Sequence, residues 1–283
     1  MSTVFLDGAL VNSGTARIDP ADRGLLLGDG LFETLRAYGG VVFRLDAHLA
    51  RLAAGAAVLA IPLPLPAGAL AEAVIATLRA NGLADASLRI TLTRGPGPRG
   101  LAPPPEPRPT LLITAAPYGG EGDSGAALAC LAGPPRNEHS PSATLKTLGY
   151  LDNVLAAAEA RARGCDEALM RNTAGRLAGG ARGNLFVVSG GALLTPPPRE
   201  GALPGIARAT VIELARGRDI EVRETPLETA ALAAADEAFL TNSLIEVLAL
   251  GSIDGRPVGD GGVGPLTAAL RADYRKLTEA AAP

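Results

Sequence analysis

Lys146 stands among apolar neighbours in Leu145-Lys146-Thr147-Leu148-Gly149-Tyr150-Leu151-Asp152-Asn153, just before an alanine-rich stretch that reads as a helix from Tyr150 to Arg163. An amine in an apolar pocket gives up its proton more easily and becomes a nucleophile, able to form a Schiff base with a carbonyl compound. Taken alone, a lysine at a helix start is usually a solvated side chain. Other residues with usable chemistry are spread along the chain. In the alternating segment Leu31-Phe32-Glu33-Thr34-Leu35-Arg36, Phe32, Thr34 and Arg36 share one face, so Arg36 could reach a carboxylate through paired hydrogen bonds. Leu203-Pro204-Gly205 precedes a helix opening at Ile206-Ala207-Arg208, whose first N–H groups favour an anion. Phe239-Leu240-Thr241-Asn242-Ser243 reads as a strand entering a turn with hydroxyl groups at its end.

After Lys146 come Asp166-Glu167-Ala168-Leu169, Asn172-Thr173-Ala174-Gly175-Arg176 and Asn184-Leu185-Phe186-Val187-Val188. This order and spacing resemble the class IV (fold type IV) aminotransferases that depend on pyridoxal 5'-phosphate (PLP). That family includes branched-chain and D-amino acid aminotransferases and 4-amino-4-deoxychorismate lyase. The resemblance runs from Asp7 to about Leu270. It implies an α+β protein of two domains, with a smaller N-terminal domain and a larger barrel-like one.

The resemblance also assigns roles. Lys146 would carry PLP as a Schiff base, and Tyr150 would face the ring oxygen. Gly28-Asp29-Gly30-Leu31-Phe32-Glu33-Thr34-Leu35-Arg36 is similar to the family's substrate-pocket element, which puts Phe32 and Arg36 beside substrate. Arg51, in His48-Leu49-Ala50-Arg51-Leu52, takes the phosphate contact, and His48 is read as structural. Arg94-Gly95-Pro96-Gly97-Pro98-Arg99-Gly100 is similar to an R-G-x-G-x-R-G loop whose arginine, here Arg99, meets a substrate carboxylate. Formally it also fits a dinucleotide fingerprint, but Pro103-Pro104-Pro105 stands where a helix would be required. Leu203 would pack on the ring. Ile206 and Ala207, the latter in place of the usual threonine, would hold the phosphate together with Ser243. Leu244 and Ile245 would wall the pocket. The chain departs from the family at Gly179, in Ala178-Gly179-Gly180-Ala181-Arg182-Gly183-Asn184, where relatives carry a glutamate for the pyridinium nitrogen. Three functions follow: amino transfer between an amino acid or amine and a keto acid, a lyase reaction releasing pyruvate, or PLP binding with little catalysis.

The elements that position these residues are legible too. Val4-Phe5-Leu6 and Leu10-Val11 read as a hairpin. Asp46 is a plausible N-cap for the helix carrying His48 and Arg51. The uncharged run from Leu52 to Ala71 has the length of a membrane span, but Pro62, Pro64 and Pro66 divide it into two helices around a turn. Leu70 to Asn81 is the second helix, Leu88–Thr93 and Thr110–Thr114 are strands, and the last helix runs from Gly264 to Glu279. The glycine-rich stretch at 119–125 is the best linker, giving domains at 1–118 and 126–283. With 47% apolar residues the chain can build a sizeable core, and a net charge of −3 without a basic block argues against nucleic acid. Cys130 and Cys165 read as reduced thiols of a cytoplasmic protein, and with His48 and His139 they offer no metal spacing. The family resemblance further implies a homodimer.

Overall fold

The computed structural model describes residues 2–120 and 125–281, so residues 121–124 of the expected linker lie outside the described residues. The chain divides into two units. One comprises the described residues of Met1–Gly119, Leu145–Gly149 and Thr278–Pro283, the other those of Gly120–Thr144 and Tyr150–Leu277. The Lys146 segment therefore belongs with the first unit, not with the second as its place after the linker suggests.

The first unit contains β1 (Thr3–Leu6), β2 (Ala9–Asn12), α1 (Arg23–Leu27), β3 (Gly30–Tyr38), β4 (Val41–Val42), α2 (Leu45–Val58), α3 (Ala67–Ala80), β5 (Ala86–Thr93) and β6 (Leu111–Pro117). Its described strands form one antiparallel sheet in the order β2-β1-β6-β5-β3-β4. Alternation along β3 and β5 sorts the two faces. Leu31 opposes Leu92 and Leu35 opposes Leu88, and these join Ile90, Ile113 and the apolar sides of α2 and α3 in the core. Phe32 opposes Thr91, Thr34 opposes Arg89 and Arg36 opposes Ser87 on the other face. The three prolines lie between α2 and α3, and Asn81 with Gly82 (φ +62°) ends α3. Asp46 is not the N-cap. Arg44, at φ +52°, holds that place without a side-chain bond, and Asp46 falls in the first turn, where its charge suits the helix end.

The second unit follows with β7 (Ala127–Leu131), α4 (Leu151–Ala162), β8 (Glu167–Arg171), β9 (Leu177–Gly180), β10 (Asn184–Ser189), β11 (Ala192–Thr195), α5 (Ile206–Arg216), β12 (Val222–Glu224), α6 (Ala230–Ala233), β13 (Glu237–Asn242), β14 (Glu246–Ile253) and β15 (Arg256–Pro257). The last helix is α7 (Pro265–Ala281). Its described strands form a mixed sheet ordered β12-β11-β10-β13-β14-β7-β8-β9, with β15 on β14. The sheet curls until edge strand β9 meets the middle of the sheet: a Cβ on Gly180 would lie 3.0 Å from the Leu240 side chain of β13. Inside the curl, Leu169, Leu177, Leu185, Val187, Leu240 and Leu250 form an apolar core. No helix among the described residues is long and apolar enough to cross a membrane.

Candidate active site

In the first unit the Lys146 segment is laced to the start of β3. Phe32 N donates to Lys146 O at 2.9 Å, Leu148 N donates to Gly30 O at 3.0 Å, and Leu31 and Thr147 form an antiparallel bridge. Backbone bonds therefore fix the lysine's position. Its half-buried amine lies 4.2 Å from the centre of the Phe32 ring, within reach of a cation–π attraction. The Arg89 guanidinium lies 3.8 Å from the same ring. Arg36, on the same face, lies over the rings of Tyr38 (4.4 Å) and Tyr118 (5.1 Å).

Beneath this face Glu33 is buried and accepts three hydrogen bonds. Arg51 donates Nε at 2.8 Å and Nη2 at 2.7 Å, and His48 Nδ1 lies at 2.7 Å. Burial pushes the Glu33 carboxyl up, but Arg51 and His48 outweigh it and hold the group below the ordinary glutamate range. Burial pushes His48 down against the opposing pull of Glu33, and the Lys146 charge acts in the same direction as burial. A neutral His48 donating its Nδ1 proton to an ionised Glu33 satisfies both shifts.

Arg99 is exposed on the loop after β5. That loop is tied down from α1. Arg23, only 4% exposed, donates to Gly100 O (3.0 Å), Leu101 O (2.9 Å) and Ala102 O (3.3 Å) and pairs with Asp29 at 2.8 Å. Arg94 closes on Asp29 as well and donates to Leu59 O and Ala60 O. Burial raises the Asp29 carboxyl, but the two arginines hold it below the usual range. Asp22, fully buried, accepts from Gly24 N, Thr93 Oγ1 and Thr110 Oγ1.

In the second unit two asparagines gather the remaining candidates. Asn184, at the start of β10, donates to Leu203 O at 2.8 Å. A Cβ on Gly205 would fall 2.1 Å from Asn184 Oδ1, so a larger residue before α5 would have to push the Asn184 amide aside. The N-terminus of α5, with Ile206 and Ala207 in its first turn, has no side-chain cap. Asn242, at the end of β13, donates to Arg182 O at 2.8 Å and thereby ties the β9–β10 turn to the turn bearing Ser243. Its Oδ1 accepts from Leu244 N (2.8 Å) and Ile245 N (2.9 Å), shaping the turn that presents Ser243. Ser243 and Leu244 are half-buried. Ile245 is buried and belongs to the core cluster of the curled sheet. Tyr150 is half-buried and immediately precedes α4.

Gly179 sits on β9 opposite Met170 at φ +142°, a conformation side-chain-bearing residues rarely adopt, with Gly183 O 3.1 Å from where a Cβ would lie. The acids nearest in sequence are engaged: Asp166 accepts from Leu128 N at 2.8 Å, and buried Glu167 pairs with Arg182. Taken unit by unit, the first offers a lysine on a held backbone and the Arg51 guanidinium, and the second a helix N-terminus without a side-chain cap, groups that suit the carbonyl and phosphate ends of an anionic aldehyde. Gly179 itself carries no carboxylate.

Sequence reasoning passed over Glu33, Arg89, Asn184 and Asn242. A lone acid on the core face of β3, and an arginine on β5 sharing the Phe32 face, are the signals that point to the first two. Asn184 carries none, since its partner Leu203 is distant in the chain, whereas Asn242 carries a local one, an asparagine at a strand end whose side chain accepts from the N–H groups two and three residues on.

The amino-transferase class IV family model matches residues 30–253. A putative branched-chain-amino-acid aminotransferase of Methanocaldococcus jannaschii is 38% identical over 277 residues, covering 97% of this chain and 96% of that one. The crystal structure of Escherichia coli branched-chain amino acid aminotransferase superposes with a TM-score of 0.95 at 31% identity, covering 100% of this chain and 96% of the other. A T.th. branched-chain amino acid aminotransferase, solved with pyridoxamine 5'-phosphate, gives a TM-score of 0.94 at 30% identity, covering 100% of this chain and 95% of the other.

Proposed function

The chain belongs to the class IV aminotransferases, and on that premise we propose that it moves an amino group from a branched-chain amino acid to a 2-oxo acid, with PLP held on Lys146. The carrying observation is Lys146, whose main chain is bonded to β3 and whose amine lies 4.2 Å from the centre of the Phe32 ring. The substrate class follows the names of the relatives; the pyridoxamine phosphate in one of them supports the cofactor. When bound, PLP takes up the electron pair left as the substrate loses its α-proton. Arg51, Ile206, Ala207 and Ser243 would hold the phosphate, and Leu203 and Tyr150 would contact the ring. Gly179 leaves the ring nitrogen without an acid, which weakens the electron sink. Phe32, Arg36 and Leu244 line the substrate, and Arg99 reaches its carboxylate from the loop. The Lys146 amine would carry the α-proton away from and back to the substrate.

The reading extends to a cytoplasmic homodimer. Leu25, Leu26 and Leu27 of α1 and Leu101 of the adjoining loop are 70%, 60%, 48% and 83% exposed, an apolar surface that association would cover. Two free thiols fit a reducing compartment.

The test compares the purified chain with Lys146→Ala. Wild type develops a visible band with PLP that borohydride traps on Lys146. It also transfers the amine of valine, leucine or isoleucine to 2-oxoglutarate, with L- and D-donors assayed side by side. Lys146→Ala shows neither, its transfer rate falling by about 10³ or more. No transfer from any donor at high enzyme concentration, or the same band in both proteins, overturns the reading. Pyruvate release without an acceptor would return the lyase.

A further inference from the structure

We propose that Glu33 is a positioning residue for anion binding: it orients Arg51 toward the cofactor's phosphate, with His48 as the second prop. This role rests on the reading of Arg51 as a phosphate ligand. Glu33 lies on the core face of β3, where a carboxylate is costly to bury, and it is 1% exposed. Its neighbours on that face are Leu31 and Leu35, both core residues, so an apolar side chain would pack there without charge. The carboxylate instead grips one edge of the guanidinium, through Nε and Nη2. A planar fork held at two points loses its freedom to rotate. His48, just under one turn earlier on α2, shares Glu33 Oε2 with Arg51 Nη2 and stops the carboxylate from swinging. The buried cluster carries one negative and one positive charge when His48 is neutral, so Arg51 is oriented with its charge already balanced on the protein side.

The geometry separates orientation from simple attraction. If Glu33 only neutralised Arg51, removing its charge would strengthen an anion's hold. If it orients Arg51, removing it weakens that hold. The experiment measures dissociation constants for PLP and for pyridoxal, which lacks the phosphate, by visible absorbance on wild type, Glu33→Gln, Glu33→Asp and Arg51→Gln. Both ligands need Lys146, so a general loss of folding or of the amine moves both constants together. Glu33→Gln is expected to weaken PLP on the order of tenfold while pyridoxal stays within about twofold of wild type. Glu33→Asp, which keeps the charge but draws it back by one methylene, gives a smaller loss of the same kind and serves as the test if Glu33→Gln folds poorly. An unchanged or increased PLP preference in both Glu33 variants, or an equal loss for both ligands in both, overturns the positioning role. An unchanged preference in Arg51→Gln overturns instead the reading of Arg51 as a phosphate ligand, and the role of Glu33 with it.

Discussion

Gly179 stands where the family resemblance leads one to expect a glutamate. The simplest expectation from sequence is that glutamate restored there would raise activity. The backbone opposes it. At φ +142° a side chain is strained wherever it points, and Gly183 O already lies 3.1 Å from the Cβ position. We therefore expect Gly179→Glu to lose about 1–3 kcal/mol of stability and to gain nothing in transfer rate. Thermal denaturation and steady-state turnover check this together. A tenfold rise in kcat with an unchanged Tm would show that the strand relaxes to accept the acid. The motif comparison located the position, but it could not see the φ angle, because glycine's conformation is set by the bulge between β8 and β9 and not by its neighbours in sequence.

The elements were legible wherever their cause is local. Three prolines divide α2 from α3, and alternation marks β3, β5 and the β1–β2 hairpin. The elements that reach across the chain were not. Arg23 and Arg94 are 71 residues apart and meet on Asp29, and no local pattern announces such a pairing. Their effect falls on one loop. Arg23 holds three successive carbonyls from Gly100 to Ala102, right beside exposed Arg99. Replacing Arg23 with Gln removes the grip while Arg94 still neutralises Asp29. The loop should then open without the sheet unfolding, because local opening needs only the loss of those bonds. Limited trypsin digestion followed by mass spectrometry reads the result as faster cleavage after Arg99, about tenfold if the three bonds act together. Cleavage at the wild-type rate would mean that the proline-rich segment stiffens the loop without help from α1. The same logic explains why Lys146 was expected in the second domain. Its place after the linker is a property of sequence, whereas its bonds to Gly30 and Phe32 are a property of the sheet.

At the scale of the molecule, the charged cluster of the first unit contributes to how stability responds to acid. Glu33 and Asp29 both titrate below the ordinary carboxylate range when folded. In the unfolded chain they bind protons near pH 4. The unfolded state therefore holds more protons as the pH drops past that value, and the stability these carboxylates contribute at neutral pH is lost as pH falls through their folded values. His48 adds to the same slope from a higher pH. Burial holds it below its ordinary range, so unfolding lets it take up a proton below about pH 6.5. All three groups have the same sign, and stability should decline from pH 7 downward in two stages, a shallow one from His48 and a steeper one from the carboxylates. Urea unfolding at intervals between pH 7 and pH 3 measures it. Glu33→Gln identifies the source: its deficit against wild type should be largest at neutral pH and shrink below about pH 4, where Glu33 of the unfolded wild-type chain begins to protonate. A constant deficit across the range would mean that the glutamate contributes shape and hydrogen bonds but not charge, and that Arg51 finds its counter-charge elsewhere. A shrinking deficit would tie part of the protein's acid sensitivity to the carboxylate that grips Arg51.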